Sequence, residues 1–331
     1  MEITSGIHQI QVTIPDNPLG HLNTYIVEGK EGWLLIDTGW PSPKAFDALK
    51  AGIKGLGLAF SDISKIILTH SHPDHYSLAG HIKKSAPQIE LLTHPLEGVL
   101  IEWRYSNYPE LREKTEILLR RYGVPEEVLI PLRTISMPGG RFMRTILPDR
   151  FMYGGEIIST GIYDLEIIWT PGHSPGHICL YEPENRLLFS GDHILPITTP
   201  NVSYHLQSGD NPLGDYKHAL QKLRHLPVDR VLPGHEHIFN DLNKRIGEIT
   251  EHHEKREAEI GRAIEKKPLN AYEISSMITW DLPDRSWEQF PALHKRFAVS
   301  ETIAHLEFMR WEGRVEKTDG NDVILWSSSR L

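Results

Sequence analysis

Five short apolar runs in this chain each lead into a loop that carries histidine or aspartate, and that repetition restricts the fold more than any other feature. Trp33-Leu34-Leu35-Ile36 precedes Asp37-Thr38-Gly39, Lys65-Ile66-Ile67-Leu68 precedes Thr69-His70-Ser71-His72, and Leu165-Glu166-Ile167-Ile168-Trp169 precedes Thr170-Pro171-Gly172-His173. Arg186-Leu187-Leu188-Phe189 then leads to Ser190-Gly191-Asp192-His193, and Arg230-Val231-Leu232 to Pro233-Gly234-His235-Glu236-His237. Short runs of branched and aromatic residues bounded by Gly, Pro, Ser and Asp read as buried strands. If these strands share one or two sheets, their C-terminal ends converge on one edge, where polar side chains from distant sequence positions meet.

Within His70-Ser71-His72-Pro73-Asp74-His75, four ligand-type side chains fall in one short loop. From extended backbone His70 and His72 point the same way, while the turn forced by Pro73 lets Asp74 and His75 face a second centre nearby. A divalent ion takes more than two ligands, and His173, Asp192 and His235 stand at the other strand ends. Cys179 is the single cysteine of the chain. It excludes both an intramolecular disulfide framework and a cysteine-based metal site, and it fits a reducing compartment. Histidine and carboxylate ligands suit zinc and also tolerate iron or manganese. Two such ions lower the pKa of a shared water from about 15.7 to near ~7, which makes a bridging hydroxide available as nucleophile. A metal-dependent hydrolase is the expected class, with Asp74 as the catalytic residue that orients the nucleophile and shuttles its proton.

The strand-borne aspartate, the His-x-His-x-Asp-His loop and the later histidine, aspartate and histidine resemble the metallo-β-lactamase superfamily, over residues 1 to about 240. The resemblance implies an α+β fold, an αββα sandwich with the site at one edge. It also implies two divalent ions, His70, His72 and His173 holding the first and Asp74, His75 and His235 the second, with Asp192 bridging. Asp37 would hydrogen-bond ligands without touching metal. His177 is expected to brace the loop that carries His173. Tyr204, His205, His193 and His237 lie near ligand loops and are candidate substrate contacts. A mononuclear-iron enzyme of the persulfide dioxygenase type is a rival that the intact second ligand set disfavours.

Between the second and third runs lies an insertion, about residues 95–155, with a helix expected from Tyr108 to Tyr122. The apolar set that follows includes Met137, Phe142 and Phe151; it reads either as a lid or substrate wall or as a helical hairpin packed on the sheet. The domain expectation is a catalytic unit over 1–243 and a C-terminal unit over 244–331. The latter reads as helices over 244–267, Ala271–Ile278, Pro291–Phe297 and Val299–Trp311, then a hairpin turning at Asp319-Gly320-Asn321, the outline of a winged helix. Together with Thr302-Ile303-Ala304-His305-Leu306 and Trp311-Glu312-Gly313-Arg314-Val315, this unit is similar to the β-lactamase-like protein 2 subgroup, whose members include endoribonucleases acting on single-stranded RNA. Residues 245–331 carry 13 Lys/Arg against 16 Asp/Glu, and the whole chain has a net charge of −9. That balance gives no basic footprint and favours a packing or homodimerisation role. A small ester, thioester, lactone or phosphoester is the expected substrate, with RNA the alternative. No basic leader or membrane-length apolar stretch is evident, so the expected location is cytoplasmic.

Overall fold

Period-two alternation along the strands divides the apolar residues between layers. In Trp33–Ile36, Leu34 and Ile36 join one buried cluster while Trp33 and Leu35 join another, and in Leu187–Gly191 the residues Leu187 and Phe189 part from Leu188 in the same way. A strand apolar on both faces must be covered on both. The computed structural model describes residues 1–15, 17–135, 140–280, 285–320 and 322–329, and it shows this solution.

The first sheet has seven strands in chain order: β1 (Glu2–Thr4), β2 (Ile7–Thr13), β3 (His21–Val27), β4 (Trp33–Ile36), β5 (Ile63–Ile67), β6 (Glu90–Thr93) and β7 (Arg150–Phe151). The second has five, also in chain order: β8 (Ile157–Ser159), β9 (Asp164–Trp169), β10 (Ile178–Glu182), β11 (Leu187–Gly191) and β12 (Arg230–Pro233). Strands β4 to β7 run parallel, as do β11 and β12, and the other neighbours run antiparallel. Between the sheets Tyr25, Leu34, Ile36 and Ile67 meet Ile167, Leu180, Phe189 and Leu232. Each such side chain contributes about 1.5–3 kcal/mol by leaving water.

Helices cover both outer faces. On the first sheet lie α1 (Pro43–Gly55), the single turn α2 (Pro73–Tyr76) and α3 (Ala79–Ser85), through Leu49, Ile53, Tyr76 and Ile82. After β6 come α4 (Pro95–Ile101), one π-helical turn (Glu102–Ser106), α5 (Tyr108–Arg121) and α6 (Glu126–Arg133). On the second sheet lie α7 (Pro212–Leu223) and the first half of α8 (Leu242–Ala263), through Leu213, Leu220, Ile246 and Ile249. The chain ends with α9 (Ala271–Met277), α10 (Ala292–Trp311) and the antiparallel pair β13 (Val315–Asp319) and β14 (Ile324–Ser328). This is the expected αββα sandwich.

Two details differ from the sequence reading. The segments expected as separate helices over Pro291–Phe297 and Val299–Trp311 form one helix, α10. No proline or glycine interrupts 292–311, so nothing stops propagation once both halves find partners. The insertion's helix forms over Tyr108–Arg121 but does not lie on a sheet: Leu119, Tyr122, Val128 and Leu129 pack with Ile260, Val299, Ile303, Leu306 and Trp326 in one cluster. The first part of the chain thus supplies part of the C-terminal core. Among the described residues no helix is long and apolar enough to cross a membrane.

Candidate metal centre

The ligand-type residues follow strand ends that face the same edge. Asp37 follows β4, the loop from His70 follows β5, His173 follows β9, Asp192 follows β11 and His235 follows β12. Backbone hydrogen bonds join the sheets at this rim, Ile178 N–H donating to Thr69 O at 2.9 Å and Asn23 N–H to Gly234 O at 2.7 Å, while Gly234 N–H donates to Gly191 O at 2.8 Å within the second sheet. Two glycines permit the close approach. A Cβ on Gly234 would lie 2.5 Å from Asp192 Oδ1, and one on Gly191 would lie 2.7 Å from His177 Nε2.

Three groups of side chains present ligand atoms within 4.8 Å of one another: His70, His72 and His173; His70, His75 and Asp192; and Asp74, His75 and His235. In the first, His72 Nδ1 lies 2.9 Å from His70 Nε2 and 3.0 Å from His173 Nε2. In the last, His235 Nε2 lies 3.3 Å from both His75 Nε2 and Asp74 Oδ2. Asp192 stands between the groups, with Oδ1 3.4 Å from His75 Nε2, and Oδ2 3.4 Å from His235 Nε2 and 3.7 Å from His173 Nε2.

Hydrogen bonding fixes which ring nitrogens face inward. His75 Nδ1 donates to Asp37 Oδ2 at 2.8 Å, His173 Nδ1 to Asn201 O at 2.9 Å, and His235 Nδ1 to His21 O at 2.8 Å. Carboxylate and carbonyl oxygens only accept, so these Nδ1 atoms carry the proton and leave Nε2 free. In the neutral rings the Nε2 lone pairs of His75 and His235 then face each other, and buried Asp192 Oδ1 has no hydrogen-bond donor. A cation among them resolves both conflicts, so the residues present fit a divalent metal. Charges point the same way. Burial opposes protonation of His75 and His235, yet Asp192 and its fellow carboxylates raise both, His235 to about 10. Burial also opposes ionisation of Asp192, but His235 and His75 hold its carboxyl well below the usual range.

Asp37, at φ 60°, also accepts from Thr69 N–H and Thr69 Oγ, each at 2.8 Å. His177 accepts from Asp192 N–H at 3.1 Å while its Nδ1 meets Thr170 Oγ1 at 2.9 Å, so it ties the Asp192 loop to the loop that carries His173. Glu97 was not anticipated from sequence. Fully buried in α4, it accepts from Ser71 N–H at 2.7 Å, Gly176 N–H at 2.8 Å and the Ser174 hydroxyl, locking two ligand loops together. Its signal was present, since Thr93-His94-Pro95-Leu96-Glu97 is one more polar loop at a strand end.

A cavity of about 420 Å³ opens beside His72 and His173. Of the candidate substrate contacts, His205 lines it. The others lie elsewhere. His193 is fully buried against Tyr216, His237 is solvent-exposed, and Tyr204 turns into the C-terminal core. Phe142 stacks on His81 at 4.1 Å in the outer layer of the first sheet, and Phe151 covers Gly98. The histidines and Tyr204 were placed by sequence proximity and the phenylalanines by their apolar character, whereas the direction of each side chain depends on local packing. Met137 falls outside the described residues.

The family model of the metallo-beta-lactamase superfamily matches residues 18–235, which hold every ligand-type residue named above. The chain belongs to the metallo-β-lactamase superfamily. As a member of that superfamily it is an enzyme of the hydrolase class, and its histidine and aspartate groups are able to hold metal. Over 335 residues it is 24% identical to a probable metallo-hydrolase of Bacillus subtilis (strain 168), covering 99% of each chain. Over 256 residues it is 30% identical to an acyl-coenzyme A thioesterase of Gallus gallus, covering 71% of this chain and 79% of that one. A crystal structure of a metallo-β-lactamase family protein from Thermus thermophilus superposes with a TM-score of 0.78 at 30% identity, covering 99% of this chain and 100% of that one. The C-terminal elements α9 to β14 therefore have counterparts in another metallo-β-lactamase family protein.

Proposed function

We propose that this protein hydrolyses a small carboxylic ester or thioester at a centre of two zinc ions. The observation that carries this reading is the position of Asp192, whose two carboxylate oxygens face different histidines of two ligand groups. His70, His72 and His173 would hold one ion, Asp74, His75 and His235 the other, and Asp192 would span them. Five imidazoles and two carboxylates without thiolate suit zinc, since Cys179 is buried away from the site. When bound, the ions supply Lewis acidity and lower the pKa of a coordinated water toward neutrality.

The chain's own residues supply the rest. Asp74 is ionised, its carboxyl held below the usual range against the cost of burial by His75 and His235, and it would accept the proton of the attacking water. Asp37, through His75 Nδ1, and the carbonyls of Asn201 and His21, through His173 and His235, keep the ligand rings from rotating. His205 lines the cavity as a neutral imidazole, pushed down to about 3 by burial and by Arg104, so it would hold the substrate by hydrogen bonding and not as an acid. Water addition to the acyl carbon and departure of the thiol or alcohol give a free acid. Support for a thioester comes from the similarity to the thioesterase of Gallus gallus.

A panel of acyl thioesters, carboxylic esters, lactones and phosphodiesters, with single-stranded RNA alongside, tests the reading. The expected result is turnover of an ester or thioester that stops on chelation and is lost in Asp192→Ala. Cleavage of RNA or a phosphodiester in preference to every acyl substrate contradicts it.

A further inference from the structure

The cavity beside His72 and His173 holds two guanidinium groups that the centre does not use. Arg104 sits on the π-helical turn after α4, and Arg296 lies in the first turns of α10. Several other arginines find carboxylates: Arg133 meets Glu116, Arg245 meets Glu248, and Arg314 meets Glu257 and Glu312. Among the described residues neither Arg104 nor Arg296 has a carboxylate within ion-pair distance. Arg104 Nη1 reaches Ser71 O at 3.4 Å, a carbonyl that already accepts from the Tyr105 hydroxyl at 2.8 Å, and the guanidinium also lies against that hydroxyl, so its partners are all uncharged. Arg296 has no hydrogen-bond partner among the described residues.

A guanidinium offers five donors in a planar fork, and leaving one half-buried and unpaired costs the fold stability. Burial pulls Arg296 below its usual range, and Arg104 adds to that by repulsion. Two like charges facing one cavity without a counter-ion, in a chain of net charge −9, mark a place prepared for an anion from outside. Leu100, Leu111 and Phe297 supply apolar wall to the same cavity. Its volume, about 420 Å³, suits a small molecule.

We propose that Arg104 and Arg296 form a recognition site for an oxyanion, a carboxylate or phosphate group that the substrate carries away from the bond that is cut. The substrate is then an amphiphilic anion, with its charged end on the arginines, its apolar segment along Leu100, Leu111 and Phe297, and its scissile carbonyl toward His72 and His173. The placement of the scissile bond rests on the hydrolytic reading above; capture of the oxyanion does not.

The test uses the metal-loaded protein with metal content verified in every variant. Glutarate and inorganic phosphate are titrated calorimetrically into wild type, Arg104→Gln, Arg296→Gln and Arg296→Lys. In parallel, kcat and KM are measured for a thioester ending in a carboxylate and for its carboxamide counterpart. At least one of the two anions is expected to bind wild type, and about ten- to hundredfold more weakly to each glutamine variant, the range for losing a hydrogen-bonded charge. The carboxylate-ended thioester is expected to be preferred by a similar factor, chiefly in KM, with the preference lost in the glutamine variants and partly kept in Arg296→Lys. Arg296→Gln should not lower the thermal midpoint, because it removes an unpaired cation; a merely structural arginine would lower it. Equal binding of both anions to wild type and variants, or binding to none, overturns the proposal. If no thioester is turned over, the hydrolytic reading fails while the titrations still decide the anion site.

Discussion

Asp37 accepts three hydrogen bonds, two from Thr69 and one from His75, and through the last it sets which nitrogen His75 turns inward. Asp37→Ala should weaken metal affinity by about 10- to 100-fold and leave the Thr69 N–H unpaired at a cost of about 1–3 kcal/mol. Competition with a chromogenic chelator and a urea titration read the two effects separately. Glu97→Ala should do the same to both ligand loops at once, because Ser71, Ser174 and Gly176 all lean on one carboxylate; unchanged affinity there would remove Glu97 from the account. At Gly234 the effect is steric. An alanine methyl 2.5 Å from Asp192 Oδ1 must displace the carboxylate, so Gly234→Ala should lower turnover at least about tenfold with near-native stability. At this scale the clustered histidines and aspartates were legible because they sit next to short apolar runs that mark where each strand ends. Glu97 was missed although its loop reads as one more polar strand end, and Arg104 and Arg296 were not legible, since a charged residue in a helical segment carries no mark of whether it is buried or paired.

The same division holds for the elements. Short runs such as Trp33–Ile36, and Arg230–Pro233 after its first residue, were readable because they are apolar and bounded by turn residues. Of the two readings given to the insertion, packing on the sheet fails, because the amphipathic face of α5 records that it packs, not against what, and its partner α10 lies far along the chain. Helices α8 and α10 also hide a pH response. His253 Nδ1 lies 3.1 Å from His305 Nε2, and His305 Nδ1 donates to Glu301 O at 2.9 Å. Burial holds both rings neutral, His305 pushed down to about 3 and His253 well below the usual value. In the unfolded chain both take up protons below about 6.5 while the folded chain does not. Their contribution is therefore complete above about pH 6.5 and is lost as the pH falls toward 3. Near pH 5 each accounts for up to about 2 kcal/mol. Urea midpoints at about pH 7.5 and 5 should fall less in His305→Gln than in wild type; an equal fall would show that the pair is protonated in the folded state.

For the whole molecule, the two-sheet architecture followed from strands apolar on both faces, and the family comparison agrees with it over residues 18–235. Residues 242–331 are tied into that architecture more tightly than the sequence suggested. Leu242, Ile246 and Ile249 cover the second sheet, Ile260 and Ile303 share a core with Leu119 and Tyr122, and Arg296 reaches the cavity beside the centre. A chain ending at Asp241 should accumulate as insoluble protein, because it exposes two apolar faces; a soluble, cooperatively unfolding fragment would contradict this packing. The central claim is that two ions act together across Asp192, and it is tested most directly by titrating zinc into chelated protein while following hydrolysis of the preferred acyl substrate. Activity that rises to a plateau at two equivalents, and does not appear in Asp192→Ala at any zinc concentration, is the predicted result. A plateau at one equivalent, or hydrolysis that persists without metal, would contradict it.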